Sequence, residues 1–422
     1  MGEQTVRFRP FDGWSFSISG SDQDAGVVGE IERSGGSYQP DLTRLLRRRL
    51  RRDDVVIDGG AHIGVLTVLM AKLCPAGHVY AFEPSPATRA HLTANLLRNG
   101  AGNVTVEAAA LYDREGEVTF DPSTTQPGGA HLTASATGTA TVAATPLDTW
   151  AAAAGLERLD FVKLDVEGTE LAVLAGAEAT IRRFRPTAVV ECNPVALRRF
   201  GGRSYRDLFD ALRSLFPAVG LVGPGGTVVP LGAEGRDHLE LAVGDRGVVD
   251  LVGLPARPGP LEAVRGQRRA RADLRRLRQT HDPSHLPATN MNFVIEPGIG
   301  IVAGVAEAAG PPGGSVGVPV TVANRTRWWL SSSFEYVPIH VAYRLLDEAG
   351  DAVVAEGHRT VFPEPLAPGG EVDLVVGVEL PAAPGRYELV LTPVQEFFTW
   401  FDEIDPGCTA RLPVVVQSLR AT

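Results

Sequence analysis

Two textures of apolar and polar positions divide the 422-residue chain. From about 54 to 245, short apolar runs alternate with stretches of helical period: DVVIDGG, HIGVLTVLMAKLC, HVYAFE, ATRAHLTANLLRN and VTVEAAAL. Short apolar runs bounded by turn residues read as strands, and apolar positions recurring every three to four residues read as helices. Their alternation predicts a parallel, doubly wound sheet. The order continues with FVKLDV, a helix over about 171–184, the strand TAVVEC and a helix around SYRDLFDALRSLF. Three shorter runs follow, AVGLVG, GTVVPL and HLELAVG, the last two reading as an antiparallel hairpin at the sheet edge.

From about 296 to 418 the pattern changes to short alternating strands with Pro and Gly turns, among them VGVPVTVANRT, PIHVAYRLLDEAG, GEVDLVVGVEL and GRYELVLTPV. Such spacing predicts a β-sandwich. Between the two textures, LPARPGP is a breaker-rich linker and LEAVRGQRRARADLRRLRQT an arginine-heavy helix. The expected domains are therefore 1–250 and 296–422, joined by a linker and helix over 251–295. On that helix Ala263, Val264, Ala270, Leu274 and Leu277 make one apolar stripe. It reads either as a solvated connector leaning on a domain or as an arginine face that receives anionic sugar, phosphate or lipid headgroups.

Composition narrows the class. A hydrophobic share of 44% with 21% charged residues is that of a folded globular chain. Net charge of −10 argues against binding nucleic acid or an anionic membrane through the field of the whole molecule, while leaving room for a local basic patch. Cys74, Cys192 and Cys408 are far apart and lack CxxC pairing, so neither a disulfide framework nor a zinc site is expected, and a reducing cytoplasm fits. The N-terminus lacks an apolar signal region and the most apolar segment, VLTVLMAKLC, is too short to span a membrane, so neither export nor insertion is expected.

The stretch FVKLDVEGTELAVLAGA, Phe161 to Ala177, breaks the apolar rule of a strand covered on both faces, because Lys163 and Asp165 sit inside it and Glu167 and Glu170 follow. Residues two apart on a strand share a face, so Lys163, Asp165 and Glu167 point one way, with Leu164 and Val166 opposite. Near the switch point of a doubly wound sheet that side opens into a ligand crevice. An unpaired buried ammonium is costly, so a carboxylate from Asp165, Asp58 or Glu191 is expected beside Lys163. The competing reading is an ion network that only braces the sheet.

VVIDGGAHIG sets Asp58, Gly59, Gly60, Ala61, His62 and Gly64 between the first strand and its helix. Glycine lets the backbone turn tightly and approach a ligand with no Cβ in the way. The acid precedes the glycines, unlike the dinucleotide GxGxxG, which favours a cationic or zwitterionic ligand over a pyrophosphate. HVYAFEP places Glu83 and Pro84 at the carboxyl edge of the second strand, where a carboxylate can accept both hydroxyls of a ribose.

In combination, the glycine turn, Glu83 and the acid after the fourth strand resemble the S-adenosylmethionine (SAM) site of class I methyltransferases. The resemblance implies that Asp58, Gly59, Gly60, Ala61, His62, Gly64, Glu83, Pro84 and Asp165 contact SAM, with Asp58 near its methionine part and Glu83 on the ribose. More specifically, KLDVEGTELAVLAGA, VIDGGAHIG, AFEPSPATRAHLTANLLRN, the TPLDTW around Asp148 and the AVVEC strand with Glu191 resemble the FkbM family of SAM-dependent methyltransferases over roughly 35–195. This implies a Rossmann-like class I fold and O-methylation of hydroxyls on sugars, glycolipids or secondary metabolites. His62 stands where that family more often has asparagine, so its imidazole is open to contacting SAM, acting as a base or capping the helix. The expected fold class is thus α/β, a class I methyltransferase sheet, followed by an all-β immunoglobulin-like sandwich.

Methyl transfer from a sulfonium to oxygen is an in-line displacement, so holding the hydroxyl about 3 to 3.5 Å from the methyl carbon supplies much of the catalysis. A base within hydrogen-bond reach takes the hydroxyl proton. Asp165 is the first candidate and Glu167 the second, with His62 and His131 behind them; a neighbouring cation such as Lys163 favours the ionised form of a carboxylate. Asp165, Glu191 and Asn193 also offer oxygen ligands for a Mg²⁺ that would acidify a substrate diol. The Gly-, Ser- and Thr-rich loop Ser123–Thr141 reads either as a lid over the site or as a surface loop.

In the second domain, adjacent aromatics such as Trp328 and Trp329, or Trp400 and Phe401, face opposite ways on a strand, leaving one of each pair to stack on a sugar ring or to pack at an interface. The run YRLLDEAGDAVVAEGHRTVFPEPLAPGG followed by PGRYELVLTPVQEFFTWF resembles the sandwich of Wzt-type polysaccharide-export ATPases, which implies recognition of a glycan. The expected partners are a saccharide, glycan or glycolipid acceptor, without nucleic acid, and a homo-oligomer is open. Two other readings stand beside this one: methylation of a small secondary metabolite with the sandwich as a dimerisation module, and a non-catalytic glycan-binding protein.

Overall fold

The computed structural model describes residues 2–22, 24, 26–121, 131–132, 140–256, 259–280, 298–333, 338–396, 399–403 and 405–417. It divides into two compact units, 1–240 with 248–274, and 241–247 with 275–422.

The first unit begins with a hairpin of β1 (Glu3–Phe8) and β2 (Phe16–Ser21), then α1 (Val27–Arg33) and α2 (Pro40–Arg49). Next come β3 (Val55–Gly59), α3 (Val65–Leu73), β4 (His78–Phe82), α4 (Pro86–Arg98) and β5 (Val104–Glu107). A small separate sheet holds β6 (Ala110–Leu111), β7 (Gly116–Asp121), β8 (His131–Leu132) and β9 (Ala140–Thr145). The chain returns through α5 (Leu147–Ala153), β10 (Phe161–Leu164), α6 (Glu170–Ala175), α7 (Glu178–Phe184), β11 (Thr187–Cys192), α8 (Pro194–Arg199) and α9 (Tyr205–Leu215). It closes with β12 (Ala218–Gly223), β13 (Thr227–Pro230), α10 (Gly235–Arg246), β14 (Val249–Leu254) and α11 (Pro260–Thr280), the residues of α10 from 241 and of α11 from 275 being counted with the second unit.

The central sheet has the order β13-β12-β14-β11-β10-β3-β4-β5. Strands β11, β10, β3, β4 and β5 run parallel, and β14 lies antiparallel between β11 and β12. From β3 the chain winds outward through β4 and β5, then resumes at β10 on the other side of β3. That reversal puts the topological switch point, where ligands bind in such sheets, at the carboxyl ends of β3 and β10. The expected doubly wound α/β sheet is present. Helix α3 is buried on nearly every side, which explains its almost wholly apolar sequence, VLTVLMAKL.

Three expectations are corrected. HLELAVG lies in helix α10, buried along its whole length, where a short apolar run does not separate strand from helix; the edge hairpin is β12 with β13. The strand after it, β14, spans Val249–Leu254 inside the sheet, so a boundary at 250 cuts through a strand. The single helix expected over 171–184 is split into α6 and α7 at Gly176, where a Cβ would collide with the carbonyl of Tyr112. Asp148 then caps α7, its carboxylate accepting from Ala179 N–H at 3.0 Å and Thr180 N–H at 2.7 Å.

In the second unit, β15 (Ile299–Ala303), β16 (Ala308–Gly310), β17 (Ser315–Asn324), β18 (Ile339–Leu346), β19 (Ala352–Val354), β20 (Thr360–Val361), β21 (Glu371–Glu379), β22 (Gly385–Gln395), β23 (Thr399–Trp400) and β24 (Ala410–Val416) form two sheets. One has the order β15-β17-β21 and the other β16-β24-β22-β18-β19, with β20 and β23 on its margins. Alternating residues, Val318, Val320, Leu374 and Val376 from one and Val341, Leu345, Leu389 and Leu412 from the other, are buried as in the expected sandwich. Trp328 and Phe401 are buried, whereas Trp329 and Trp400 are half-buried. The guanidinium of Arg344 lies 3.9 Å from the Trp400 ring centre and pairs with Asp402 at 2.7 Å. Among the described residues no helix is long and apolar enough to cross a membrane.

Replacing Asp148 with Ala leaves two N–H groups of α7 without their cap. The variant should lose about 1 kcal/mol of stability in denaturant unfolding; an unchanged midpoint would show that the cap is not structural.

Candidate functional site

At the end of β3 the chain turns through Gly60, His62 and Gly64, all with positive φ, into α3. Gly60 is held by proximity: a Cβ there would collide with the carbonyl of Asp165, so the glycine turn lies directly against the end of β10. The N–H groups of Gly60 and Ala61 donate to Phe82 O at 3.2 and 3.0 Å, which ties the same turn to the end of β4.

Lys163 is buried where β10 lies beside β3, and its Nζ is 3.3 Å from Asp58 Oδ1, 3.4 Å from Asp165 Oδ2 and donates to Gly60 O at 3.0 Å. Two of its three expected partners are therefore in place. Burial opposes its charge, but Asp58 and Asp165, with Glu191 behind them, outweigh this and hold the ammonium protonated well beyond neutral pH. Asp58 is itself buried and accepts the Thr67 hydroxyl at 2.7 Å through Oδ2.

Glu83, at the end of β4, is buried with both oxygens engaged, Oε2 accepting from His62 N–H at 3.0 Å and Oε1 from Ser85 N–H at 2.8 Å. Burial pushes its carboxyl up to about 7. Pro84 follows it, half-buried, at the head of α4. His62 Nδ1 is enclosed without a hydrogen-bond partner, and burial lowers the imidazole pKa, leaving a neutral ring with Asp24, Asp165, Lys163 and His91 around it.

The turn after β10 gathers further acids. Glu167 has φ of 53°, Gly168 a φ of 95°, and a Cβ on Gly168 would collide with the carbonyl of Ala196 at α8. Glu170 Oε1 accepts from Val166 N–H and Gly168 N–H, each at 3.1 Å, so this buried carboxyl organises the turn that presents Asp165 and Glu167. Burial raises the Glu170 pKa to about 7. Glu167 and Glu191 are pushed well up by burial, with Asp165 repelling each of them. Asp250 on β14, the register partner of Glu191, rises to about 7 for the same reasons.

Of the residues expected to offer oxygen ligands to Mg²⁺, Asn193 has its side-chain oxygen engaged within the chain. Asn193 Oδ1 accepts from Val195 and Ala196 N–H, both at 3.2 Å, so its oxygen serves as the N-cap of α8. Among the described residues no three His, Cys, Asp or Glu side chains are grouped to hold a metal ion. His131 lies on β8 with its side chain outside the described residues, as is most of the loop Ser123–Thr141.

Sequence reading missed the N-terminal contribution. Asn95 of α4, fully buried, donates to both Ser19 O and Ile63 O at 2.8 Å and accepts from Ser19 N–H at 2.8 Å, clamping β2 onto the glycine turn. Tyr38, between α1 and α2, has its phenol raised well above the usual value by burial and by Asp165, Glu30 and Glu191 nearby. A polar residue on the Leu92–Leu96 stripe was the available signal for Asn95; Tyr38 had none.

This geometry coincides with a family match. The profile of the Methyltransferase FkbM domain matches residues 58–220, from the acid of β3 to β12. Residues 58–220 are an FkbM methyltransferase domain. Hexuronic acid methyltransferase AglP of Haloferax volcanii is 34% identical over 139 residues, covering 33% of this chain and 56% of the relative. 2-O-methyltransferase NoeI of Sinorhizobium fredii is 27% identical over 150 residues, 32% of this chain and 61% of the relative. 31-O-demethyl-FK506 methyltransferase FkbM of Streptomyces tacrolimicus is 38% identical over 89 residues, 21% of this chain and 34% of the relative. The chain thus spans a little over half the length of the first two relatives. In the described structure this domain is built on the doubly wound, mostly parallel sheet.

A raised carboxyl makes folding depend on pH in a defined sense. Below about pH 4.5 Glu170 is protonated both folded and unfolded; from there to about 7 the unfolded chain releases the proton and the folded FkbM domain keeps it, so stability falls as pH rises. Glu170→Gln, which keeps the acceptor for Val166 and Gly168, should flatten that fall by up to about 3 kcal/mol. Unfolding curves at pH 4.5 and 8 with the same difference in variant and wild type would contradict the assignment.

Proposed function

We propose that the FkbM domain transfers a methyl group from SAM to a hydroxyl of a saccharide, glycan or glycolipid in a reducing cytoplasm. The observation that carries this reading is the Lys163, Asp58 and Asp165 cluster under the glycine turn at the switch point. The residues fit the cofactor: the carboxylates gathered around the glycine turn suit a molecule bearing ammonium and sulfonium charges, and the enclosed Nδ1 of His62 has no partner within the chain. Asp58, Gly59, Gly60, Ala61, His62, Gly64, Glu83 and Pro84 would hold it. When bound, SAM supplies an electrophilic methyl group.

The chain's own residues would do the rest. Asp165 accepts the proton of the acceptor hydroxyl, held in place by Lys163 at 3.4 Å. Glu167 and Glu191, whose carboxyls are pushed well up by burial and by Asp165, would hold neighbouring sugar oxygens by hydrogen bonds. His62 is the second candidate base, since its neutral ring has an unpartnered Nδ1. The sugar substrates named for the AglP and NoeI relatives favour a saccharide acceptor. The FK506 relative favours the second reading, a secondary-metabolite hydroxyl. Three buried cysteines, all unpaired, agree with a reducing compartment.

Incubation with methyl-labelled SAM and a panel of free and lipid-linked saccharides tests this. Label should enter a sugar hydroxyl, and Asp165→Asn should lower turnover about 10²- to 10⁴-fold with SAM still bound. Undiminished turnover in that variant and loss in His62→Gln would move the base to His62. Label entering only macrolide acceptors would establish the second reading instead.

A further inference from the structure

Helix α11 concentrates positive charge in a chain whose net charge is −10. Between Pro260 and Thr280 it carries seven arginines against Glu262 and Asp273, a balance of 7 − 2 = +5. Its inner side is fixed: Leu274 and Leu277 are buried, Asp273 binds His238 of α10 at 2.9 Å, and Gly266 packs against the Pro230 ring of β13. Arg265, Arg268, Arg269, Arg271 and Arg275 are all exposed. At 3.6 residues per turn they occupy much of the circumference opposite Leu274 and Leu277. Leu274 and Leu277 are therefore taken up by packing, and the exposed arginines stand outward as a ridge.

We propose that this arginine ridge docks the protein onto an anionic lipid surface. Charge complementarity carries the assignment, and the shape and composition of the ridge choose among polyanions. Single-stranded nucleic acid is held in basic grooves lined with aromatic side chains for base stacking; α11 is a convex helix with no aromatic residue over 260–280. Exposed arginines spread over the outward half of a helix present charges that a flat layer of phosphate and carboxylate headgroups can meet together. Arginine is suited to this because its planar fork binds such groups bidentately. With no apolar face to insert, binding is electrostatic, peripheral and sensitive to salt. This inference stands independently of the methyl-transfer reading.

The full chain is sedimented with vesicles of phosphatidylcholine alone and of phosphatidylcholine containing about one third phosphatidylserine, at low and high salt, beside a variant carrying Arg265→Gln, Arg268→Gln, Arg269→Gln and Arg271→Gln. The wild type should bind only the anionic vesicles and dissociate at high salt. Each arginine removed should weaken binding roughly fivefold. Circular dichroism and the unfolding midpoint confirm that the variant, altered only at exposed positions, is folded. Equal binding by variant and wild type, or no binding of wild type to anionic vesicles at low salt, would overturn the proposal. So would retention on single-stranded nucleic acid without vesicle binding.

Discussion

One buried ammonium organises the first unit. Lys163 sits between β3 and β10 at the place where a doubly wound sheet opens, and an uncompensated charge there would be severely destabilising. It is compensated from both strands, by Asp58 and Asp165, and by the carbonyl of Gly60. Those contacts fix the spacing of the two strand ends and the path of the glycine turn at once. Removing Lys163 would leave both carboxylates without their shared counter-charge, so the crevice and the stability of the sheet are one problem.

Around that centre, further carboxyls are kept close by structure that has nothing to do with their mutual repulsion. Glu170 is tied into the turn by Val166 and Gly168, and Glu191 and Asp250 are held side by side by strand pairing. Crowding and burial push their pKa values upward. Such raised values mark sites more often than braces, although ion networks produce them too. Here the acids border an enclosed imidazole nitrogen and a turn with no room for side chains, features a purely bracing network does not require.

Much of this is legible in the amino-acid sequence alone. Lys163 and Asp165 inside an apolar strand, and Asp58 before two glycines, break local rules in ways that only a crevice or an ion pair relieves, and both proved to be one assembly. The ambiguous parts were those where local pattern underdetermines structure. HLELAVG is too short an apolar run to separate strand from helix, and Asp250 was obscured by a boundary set within its own strand. Asn193 looked like an oxygen ligand because its role as a helix cap depends on where α8 begins. Tyr38 and the β1–β2 hairpin reach the site through tertiary packing alone.

The central claim, that the crevice at the ends of β3 and β10 receives SAM, is tested most directly by calorimetric titration with S-adenosylhomocysteine of the wild type and of Asp58→Asn, which removes the carboxylate at the head of the glycine turn while keeping its shape. Saturable one-to-one binding in the wild type and none in the folded variant is the predicted result. A folded wild type that gives no binding heat across a range of temperatures, or a variant that binds equally well, would contradict it.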